Sequence, residues 1–229
     1  MAHMENKKQY FIDYLKKLSL FSEGAEAKFD IYFDELKKAN ESLNLFSRKM
    51  DAEDIWIKHF LDSVSIFEIN DDFQNKAILD FGTGGGFPGI PIQILAPESN
   101  MTLLDSTKKK IEILKKMAME IKLNNVSFLS YRLESREMDA YKGFFDIVVC
   151  RSVKLTATLQ KAISQVMKKA GKIFLYKAVK LGDVKLFNDC LMTSSDASSG
   201  KMKQVSDVKI HTLDLKLLGE RRIIEINYV

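Results

Sequence analysis

The stretch DFGTGGGFPGIP, residues 80–91, places four of the chain's 11 glycines between Gly82 and Gly86. Glycine weakens helices and strands alike, so such a cluster is either a flexible linker or a turn that lies very close to a ligand. The flanks favour the turn, because the strand-like run KAILDF precedes it and the helix-like run PIQILA follows it. This arrangement predicts a loop whose backbone approaches a charged or nucleotide-like ligand.

The pattern of apolar residues changes near residue 70. Before it, apolar residues recur at helical spacing, which predicts three helices, the third from Asp51 to near Ile69. After it, five short apolar runs alternate with helical stretches: AILDF, MTLLD, VSFLS, FDIVVC and KIFLY. Near-continuous apolar strands separated by helices predict a parallel sheet covered on both faces. Two later runs flank Gly219 and predict a C-terminal pair of antiparallel strands.

The sequence therefore predicts an α/β protein in two parts. A helical cap spans residues 1–70, of which residues 1–3 are expected to be a cloning remnant, and a Rossmann-like domain spans residues 71–229. No apolar run reaches the ~18 residues of a membrane span, and the N-terminus has no apolar signal segment. The two cysteines, Cys150 and Cys190, lack metal-binding spacing, so we expect no metal site and a reducing, cytoplasmic setting.

Positive charge is concentrated in one part of the chain. The net charge is +4, yet residues 151–185 hold nine basic residues and a single acid. Such a cluster indicates a polyanionic partner, because phosphate contacts supply most non-specific nucleic-acid affinity. A solvated lysine face is the alternative interpretation. The candidate RNA contacts are Lys154, Lys168, Lys169, Lys177, Lys180, Arg221 and Arg222.

Two ligand classes place a glycine turn after the first strand of such a sheet. Dinucleotides use G-x-G-x-x-G with the pyrophosphate at a helix N-terminus, whereas S-adenosylmethionine enzymes use an acid-x-G-x-G-x-G turn. The second spacing is the one found here, in Asp80, Gly82, Gly84 and Gly86. A carboxylate in the turn suits the ammonium and sulfonium charges of S-adenosylmethionine, which is the favoured cofactor. Asp105, followed by Ser106, lies at the end of the second strand, where an acid binds ribose hydroxyls.

Several runs carry a resemblance to a known family: FGTGGGFPGIPIQILAPE, LLDSTKKKIEIL, RLES and FDIVVCRSV, with NLFSRKMDAEDIWIKHFLDSV upstream and GERRIIEI downstream. Together they resemble the GidB/RsmG family of bacterial methyltransferases, over most of the chain from Asn44. The resemblance implies a class I S-adenosylmethionine-dependent methyltransferase fold. It also implies methyl transfer to N7 of a guanine in 16S rRNA, guanine 527 of the decoding-region loop.

The resemblance further implies the residues of the site. Cofactor contacts would fall on Gly82 and Phe87, adenine contacts on Leu133 and Glu134, and Arg151 would follow the fourth strand at the same edge of the sheet. This placement is physically sensible, because ligands of open α/β sheets bind at the carboxyl ends of the strands. The implied partner is 16S ribosomal RNA or a precursor of the small ribosomal subunit, with no membrane and no protein partner.

Catalysis is expected without a general base. Guanine N7 has an in-plane lone pair and no proton, and the run CRSV stands where amino-group methyltransferases carry an N-P-P-Y-type loop. Arg151 stays protonated, so we expect it to align the reactants by holding the cofactor or by donating to guanine O6. His59, Asp62 and Ser63 share one helical face, which indicates either contact with RNA or the glycine loop or a simple link between cap and core.

Two other functions stay open at this point. A nicotinamide-dependent oxidoreductase would use a similar glycine loop. An RNA-binding ribosome assembly factor with a nucleotide-type cofactor site would use the basic residues with secondary or lost catalysis. Binding of S-adenosylmethionine but not NADH would exclude the first, and methyl transfer to rRNA would exclude the second.

Overall fold

A seven-stranded sheet forms the centre of the protein, whose computed structural model describes residues 6–47, 49–154, 156–177 and 205–229. The strands are β1 (Ala77–Phe81), β2 (Asn100–Leu104), β3 (Val126–Leu129), β4 (Phe145–Arg151), β5 (Met167–Lys177), β6 (Val205–Leu215) and β7 (Gly219–Tyr228). Their order across the sheet is β3-β2-β1-β4-β5-β7-β6. The first five strands are parallel, and β7 is antiparallel to both β5 and β6. The predicted α/β class, with its antiparallel C-terminal pair, is confirmed.

Helices pack on both faces of this sheet. They are α1 (Lys7–Lys17), α2 (Glu23–Asn40), a π-helical stretch (Trp56–Leu61) that continues through the turn α3 (Asp62–Val64) into a 3₁₀ turn (Ser65–Glu68), α4 (Gly89–Leu95), α5 (Lys108–Glu120), a 3₁₀ helix (Arg136–Tyr141) and α6 (Ala157–Val166). One hydrophobic cluster joins the N-terminal helices, α4 and α5 to one face of the sheet. A second cluster packs α6 against the other face. The near-continuous apolar character of the inner strands follows from this two-sided burial.

The N-terminal helices share their core with the sheet. Aromatic residues at helical spacing make this contact: the ring of Phe60 lies 5.2 Å from that of Phe29 and 6.2 Å from that of Phe87, in the loop after β1. Helix α2 begins where the Ser22 hydroxyl accepts a hydrogen bond from the Ala25 N–H, a common N-cap. The division predicted at residue 70 falls between the 3₁₀ turn and β1, and its standing as a domain boundary stays a prediction.

The parallel register brings the ends of three strands to one edge of the sheet. Asp80 in β1 is opposite Leu103 in β2 and Val149 in β4. The glycine loop, Asp105 and Arg151 therefore follow neighbouring strands on the same side, although 46 positions separate Asp105 from Arg151 along the chain. This edge is where a ligand of an open α/β sheet is expected.

Candidate cofactor site and cationic cleft

The glycine loop, residues 82–88, leaves β1 in a left-handed backbone conformation. Its φ angles are +70° at Gly82 and +97° at Gly86. A Cβ atom added at Gly86 would lie 2.6 Å from both the Tyr32 hydroxyl and the Ile90 Cδ1 atom. Space and backbone conformation thus both require glycine there. The N–H groups of Gly82 and Thr83 donate to the Leu104 carbonyl at 2.8 and 3.1 Å, which ties the loop to the end of β2.

Asp80 organises the glycine loop from inside. It is completely buried, and its Oδ2 atom accepts hydrogen bonds from the Thr83 hydroxyl at 2.7 Å and the Gly89 N–H at 2.8 Å. Burial raises the pKa of this carboxyl to about 7, although these two hydrogen bonds act in the opposite direction. The carboxyl therefore joins both ends of the loop. The predicted contact of Asp80 with the charged groups of a cofactor stays a prediction.

Asp105 supports the same loop from the end of β2. Its Oδ2 accepts from the Gly84 N–H at 3.1 Å and its Oδ1 from the Thr107 N–H at 2.8 Å, and the residue is 8% exposed. A carboxylate offers about four lone-pair positions. Lys110 Nζ also lies 3.8 Å from Oδ2, so Oδ1 keeps the greater capacity for a ligand donor. A Cβ at Gly84 would meet no atom closer than the Gly82 carbonyl at 3.9 Å, which leaves that side of the loop open. An acid beside an open glycine fits the ribose of a nucleoside-type cofactor.

The N-terminal helices contribute directly to the loop. Tyr32 of α2 is fully buried and donates its hydroxyl proton to the Gly85 carbonyl at 2.6 Å. Tyr32 also stacks on Phe60, with ring centroids 5.2 Å apart. Sequence reasoning missed this residue, because its helical spacing indicated only a core position. The hydrogen bond makes α2 part of the support of the candidate cofactor site.

The other predicted cofactor residues lie around this edge. Leu133 is buried in the second hydrophobic cluster, while Glu134 and Ser106 are exposed. Leu133 and Glu134 follow β3, and Ser106 follows Asp105 after β2. All three residues therefore lie at the edge of the sheet where the parallel strands end. Their contacts with a cofactor stay predictions.

Arg151, at the end of β4, connects the glycine loop to the cap. Its Nη1 donates to Asp62 Oδ2 at 3.0 Å and to the Lys58 carbonyl at 3.3 Å, and its Nη2 lies 2.7 Å from His59 Nδ1. The guanidinium carbon lies 4.9 Å from the ring centroid of Phe87, within the range of a cation–π contact. His59 stacks on the same ring with centroids 4.6 Å apart. The ring of Phe87 is therefore a shared support for Arg151 and His59.

His59 is a neutral hydrogen-bond acceptor in this arrangement. Burial, together with the positive charges of Arg151 and Lys58, lowers the pKa of His59 from its ordinary 6.5 to about 3. Arginine has only donors, so Nδ1 accepts from Arg151 and the imidazole proton lies on Nε2. Both contacts expected within the protein are observed: His59 packs on the glycine loop through Phe87, and His59 and Asp62 link the cap to the core through Arg151. Contact of this face with RNA stays a prediction. Ser63 contributes its carbonyl, which accepts from the Tyr176 hydroxyl at 2.7 Å.

A cleft of about 230 Å³ opens beside this network. Its walls are formed by Lys58, His59, Asp62, Arg151, Ser152, Tyr176, Arg221, Arg222 and Ile223. Asp62 binds two arginines at once, since Arg221 Nε lies 3.3 Å from its Oδ1 atom while Arg151 occupies Oδ2. We call this surface the cationic cleft. Its position next to Phe87 makes it a neighbour of the candidate cofactor site.

The predicted RNA contacts are distributed unevenly around the molecule. Arg221 and Arg222 line the cationic cleft, and exposed Lys154 follows β4 at the same edge. Lys168 and Lys169 lie at the start of β5, at the opposite edge of the sheet, where Lys168 is 2.9 Å from Asp146. The structure therefore does not bring these two lysines to the site.

Two further predicted contacts are only partly covered by the structure, and one cleft residue was missed. Lys177 ends β5 with its Cα paired to that of Arg222, while Lys180 lies outside the described residues. Lys58, which lines the cleft, was missed because a single lysine on a cap helix carries no signal of its own.

The described residues show neither a membrane span nor a metal centre. Within them, no helix combines the length and the apolar character that crossing a membrane requires. The same part of the chain brings together no group of three or more His, Cys, Asp or Glu side chains that could hold a metal ion.

Solved structures with a similar fold include methyltransferases. A predicted O-methyltransferase from Agrobacterium tumefaciens aligns with a TM-score of 0.56 and 14% identity, over 74% of this chain and 79% of that chain. A 16S rRNA (adenine(1408)-N(1))-methyltransferase from Catenulisporales acidiphilia aligns with a TM-score of 0.54 and 14% identity, over 69% and 87%. The M. jannaschii TYW2 protein in complex with AdoMet aligns with a TM-score of 0.52 and 15% identity, over 74% of each chain. The fold is that of the class I methyltransferases.

Sequence comparison specifies the family. The family model GidB, rRNA small subunit methyltransferase G, matches residues 25–212. The ribosomal RNA small subunit methyltransferase G of Oceanobacillus iheyensis is 34% identical over 176 residues, covering 76% of this chain and 74% of that protein. The protein of the same name from Staphylococcus aureus strain JH9 is 32% identical over 173 residues, covering 75% and 72%. The chain belongs to the GidB family, and the resemblance inferred from the sequence is confirmed.

Proposed function

We propose that this protein transfers a methyl group from S-adenosylmethionine to N7 of a guanine in 16S rRNA, in the cytoplasm. Family resemblance specifies guanine 527 of the decoding-region loop. The single observation that carries the proposal is the junction at Phe87. The backbone of this residue belongs to the glycine loop, while its ring supports Arg151 and His59 on the wall of the cationic cleft. A cofactor loop is thereby joined to a surface suited to a polyanion.

The residues proposed to hold the cofactor are those that the loop and its neighbouring strands bring together. They are Asp80, Gly82, Gly84, Gly86, Phe87, Asp105, Ser106, Leu133, Glu134 and Arg151. When bound, S-adenosylmethionine supplies an electrophilic methyl group on a sulfonium. The open side of Gly84 and the remaining lone pairs of Asp105 support this assignment. Asp80, whose pKa is raised to about 7, would shape the loop from inside.

The cleft supports guanine N7 as the methyl acceptor, because its candidate bases are already engaged. His59 accepts from Arg151 and has its pKa lowered to about 3. Asp62 is bound by Arg151 and Arg221. His59 is therefore a weak base, and both oxygens of Asp62 are already occupied by guanidinium donors. Attack by N7 needs no base, since its lone pair is in the ring plane and carries no proton. Alignment of the reactants then provides the catalysis.

Arg151 would act by alignment in this reaction. Positive charge develops on the guanine as N7 is alkylated, so a cation pressed against N7 would hinder the reaction. The neighbouring O6 atom is an acceptor on the same edge of the base. Arg151 keeps N–H donors beyond those used by Asp62, His59 and the Lys58 carbonyl, because a guanidinium has five. Donation to O6 would orient the base without opposing the chemistry.

The experiment that tests the proposal compares the rRNA of two strains. Nucleoside mass spectrometry of 16S rRNA from a strain lacking this protein should show loss of one N7-methylguanine, and the purified protein with S-adenosylmethionine should restore it. Persistence of the modification in that strain would contradict the proposal. Calorimetric binding of NADH in place of S-adenosylmethionine would favour an oxidoreductase. RNA binding without methyl transfer would favour an assembly factor.

A further inference from the structure

The cationic cleft carries more positive charge than its carboxylates offset. Four cationic side chains line it, those of Lys58, Arg151, Arg221 and Arg222. Three carboxylates offset them in part, Asp62 in the wall and Asp54 and Glu220 at the rim, so cations remain in excess. His59 adds no charge at neutral pH, since its pKa is lowered to about 3. Like charges at a partly enclosed surface repel one another more strongly than in bulk water. An anion that enters the cleft relieves this repulsion.

Asp62 fixes the orientation of two of these cations. Arg151 Nη1 and Arg221 Nε bind its two different oxygens at 3.0 and 3.3 Å, and the residue is 9% exposed. The guanidinium groups are therefore held side by side at the wall of the cleft. A planar guanidinium with fixed orientation presents its remaining N–H donors in a geometry that suits phosphate oxygens. Fixing the donors in advance also lowers the entropy lost on binding.

The remaining two cations are held at the rim in a similar way. Arg222 Nη2 lies 2.9 Å from Glu220 Oε1, and Lys58 Nζ lies 2.6 Å from Asp54 Oδ2. The Lys58 side chain is 53% exposed, so its ammonium group stays accessible. The volume of about 230 Å³ is below the ~300 Å³ at which pockets for drug-sized ligands begin. A phosphate group with its sugar links suits this space better than a complete cofactor.

We propose that the cationic cleft is a phosphate-binding clamp for an RNA strand. Arg221, Arg222 and Lys58 contact backbone phosphodiesters next to the methylated base, and Asp62 is a positioning residue that aligns the arginines. The identification of the polyanion as RNA rests on the proposed function, whereas the affinity for phosphodiesters rests on the cleft itself. The clamp explains how a cleft beside the cofactor site would fix the strand while Arg151 orients the base.

The test compares two double variants of the full chain that lose the same charge. Arg221→Gln with Arg222→Gln removes the clamp, whereas Lys168→Gln with Lys169→Gln removes two cations at the opposite edge of the sheet. Binding of a 16S rRNA fragment is measured over a range of KCl concentrations. The clamp variant should bind at least tenfold more weakly, with a salt slope smaller by about 1–2. The lysine variant should stay within twofold of the wild type, and both should keep their affinity for S-adenosylmethionine.

The proposal would be overturned if both double variants lost RNA affinity equally, or if the clamp variant lost none. At matched ionic strength, inorganic phosphate should displace RNA from the wild type more effectively than chloride does. On the clamp variant, phosphate and chloride should displace RNA equally well. If phosphate and chloride compete equally on the wild type, the cleft is not a phosphate site. A wild type that binds RNA through the clamp but forms no N7-methylguanine would contradict the proposed function and leave the clamp intact.

Asp62→Asn distinguishes a role of Asp62 in aligning the arginines from a role in offsetting their charge, because the two roles predict opposite changes in RNA affinity. Loss of a negative charge should by itself tighten RNA binding. Loss of the alignment of Arg151 and Arg221 should weaken it and lower the rate of methyl transfer at saturating RNA. We expect a several-fold weaker affinity for RNA together with a lower kcat, both measured at saturating S-adenosylmethionine because Arg151 is also a proposed cofactor contact. Tighter RNA binding would show that Asp62 only offsets charge and would remove its positioning role.

Discussion

The glycine loop and the cationic cleft meet at Phe87, yet different interactions build them. In the loop, buried Asp80 and Asp105 accept hydrogen bonds mostly from backbone N–H groups of nearby residues. In the cleft, side chains from three distant parts of the chain hold one another, as Arg151 and Arg221 do through Asp62. A backbone cradle suits a fixed small ligand, whereas a side-chain cluster near the surface can adapt to a strand. The two halves of the site should therefore respond to different perturbations.

The largest effect is expected at Gly86. Gly86→Ala introduces a Cβ that meets the Tyr32 hydroxyl and Ile90 at 2.6 Å, in a backbone with φ of +97°. Strain and overpacking of this kind cost roughly 2–5 kcal/mol together. Calorimetry should show S-adenosylmethionine affinity reduced well over tenfold, with RNA affinity within threefold of the wild type. Gly84→Ala is the control for stability, because its Cβ has space within the protein and only the left-handed φ of +57° opposes it.

The outcome at Gly86 decides whether the two regions are independent. Circular dichroism and thermal unfolding would first establish that the variant is folded. If Gly86→Ala lowered RNA affinity as much as cofactor affinity, the loop and the cleft would be one unit joined through Phe87. Equal losses of stability in Gly86→Ala and Gly84→Ala would instead show that backbone conformation, and not the contact with Tyr32, restricts the loop.

The loop could be predicted from the sequence because its interactions are local. Asp80 and Gly89 are nine positions apart, and the strand, the glycines and the helix follow one another directly. Strands such as the run FDIVVC could also be predicted, because burial on both faces of the sheet requires a continuous run of apolar residues. The position of Asp105 followed from the rule that ligands bind at the carboxyl ends of parallel strands.

The cleft could not be predicted in the same way. Arg151 binds Asp62 across 89 positions, and only the strand order places β7 with Arg221 beside them. Counting charge along the chain selected Lys168 and Lys169, because a linear count ignores strand direction. These lysines start β5, so they lie at the edge opposite to the loop. The role of Tyr32 could not be predicted for another reason, because the sequence shows a tyrosine at a core position of a helix but not the partner of its hydroxyl.

A smaller effect, specific to the cleft, concerns the pH dependence of stability. Unfolded His59 takes up a proton below about 6.5, while the folded residue stays neutral down to about 3. The contribution of His59 is therefore fully present above pH 6.5 and is lost as the pH falls, by up to ~1.4 kcal/mol per pH unit. His59→Phe keeps an aromatic ring next to Phe87 and removes this proton linkage.

Urea unfolding at pH 7 and pH 5 would measure this difference. At pH 7, where His59 Nδ1 accepts from Arg151, the free energy of unfolding should be larger for the wild type than for His59→Phe. At pH 5 this difference should be smaller by up to about 2 kcal/mol. A gap that stays constant between the two pH values would mean that folded His59 titrates normally and is not held neutral by burial and the charge of Arg151.

The smallest expected effect tests whether the cap belongs to the cofactor site. Tyr32→Phe removes only the hydroxyl that donates to the Gly85 carbonyl at 2.6 Å, and it leaves that buried carbonyl without this donor. Tyr14→Phe is a matched control, since Tyr14 lies in the same cap, is also buried and donates to Glu68 at 2.9 Å, away from the loop. Both variants should lose about 0.5–1.5 kcal/mol of stability.

Only one of these two variants should change the affinity for the cofactor. Tyr32→Phe should weaken S-adenosylmethionine binding by about two- to tenfold, because a free energy of roughly 0.5–1.5 kcal/mol then no longer holds the loop in its binding conformation. Tyr14→Phe should bind as the wild type does. Tyr32→Phe should also restore part of the affinity lost in Gly86→Ala, since it removes one of the two atoms 2.6 Å from the added Cβ. If the effects of Tyr32→Phe and Gly86→Ala on cofactor affinity are additive, or if both tyrosine variants bind the cofactor equally well, the cap is only a scaffold. The cofactor site then belongs to the sheet alone.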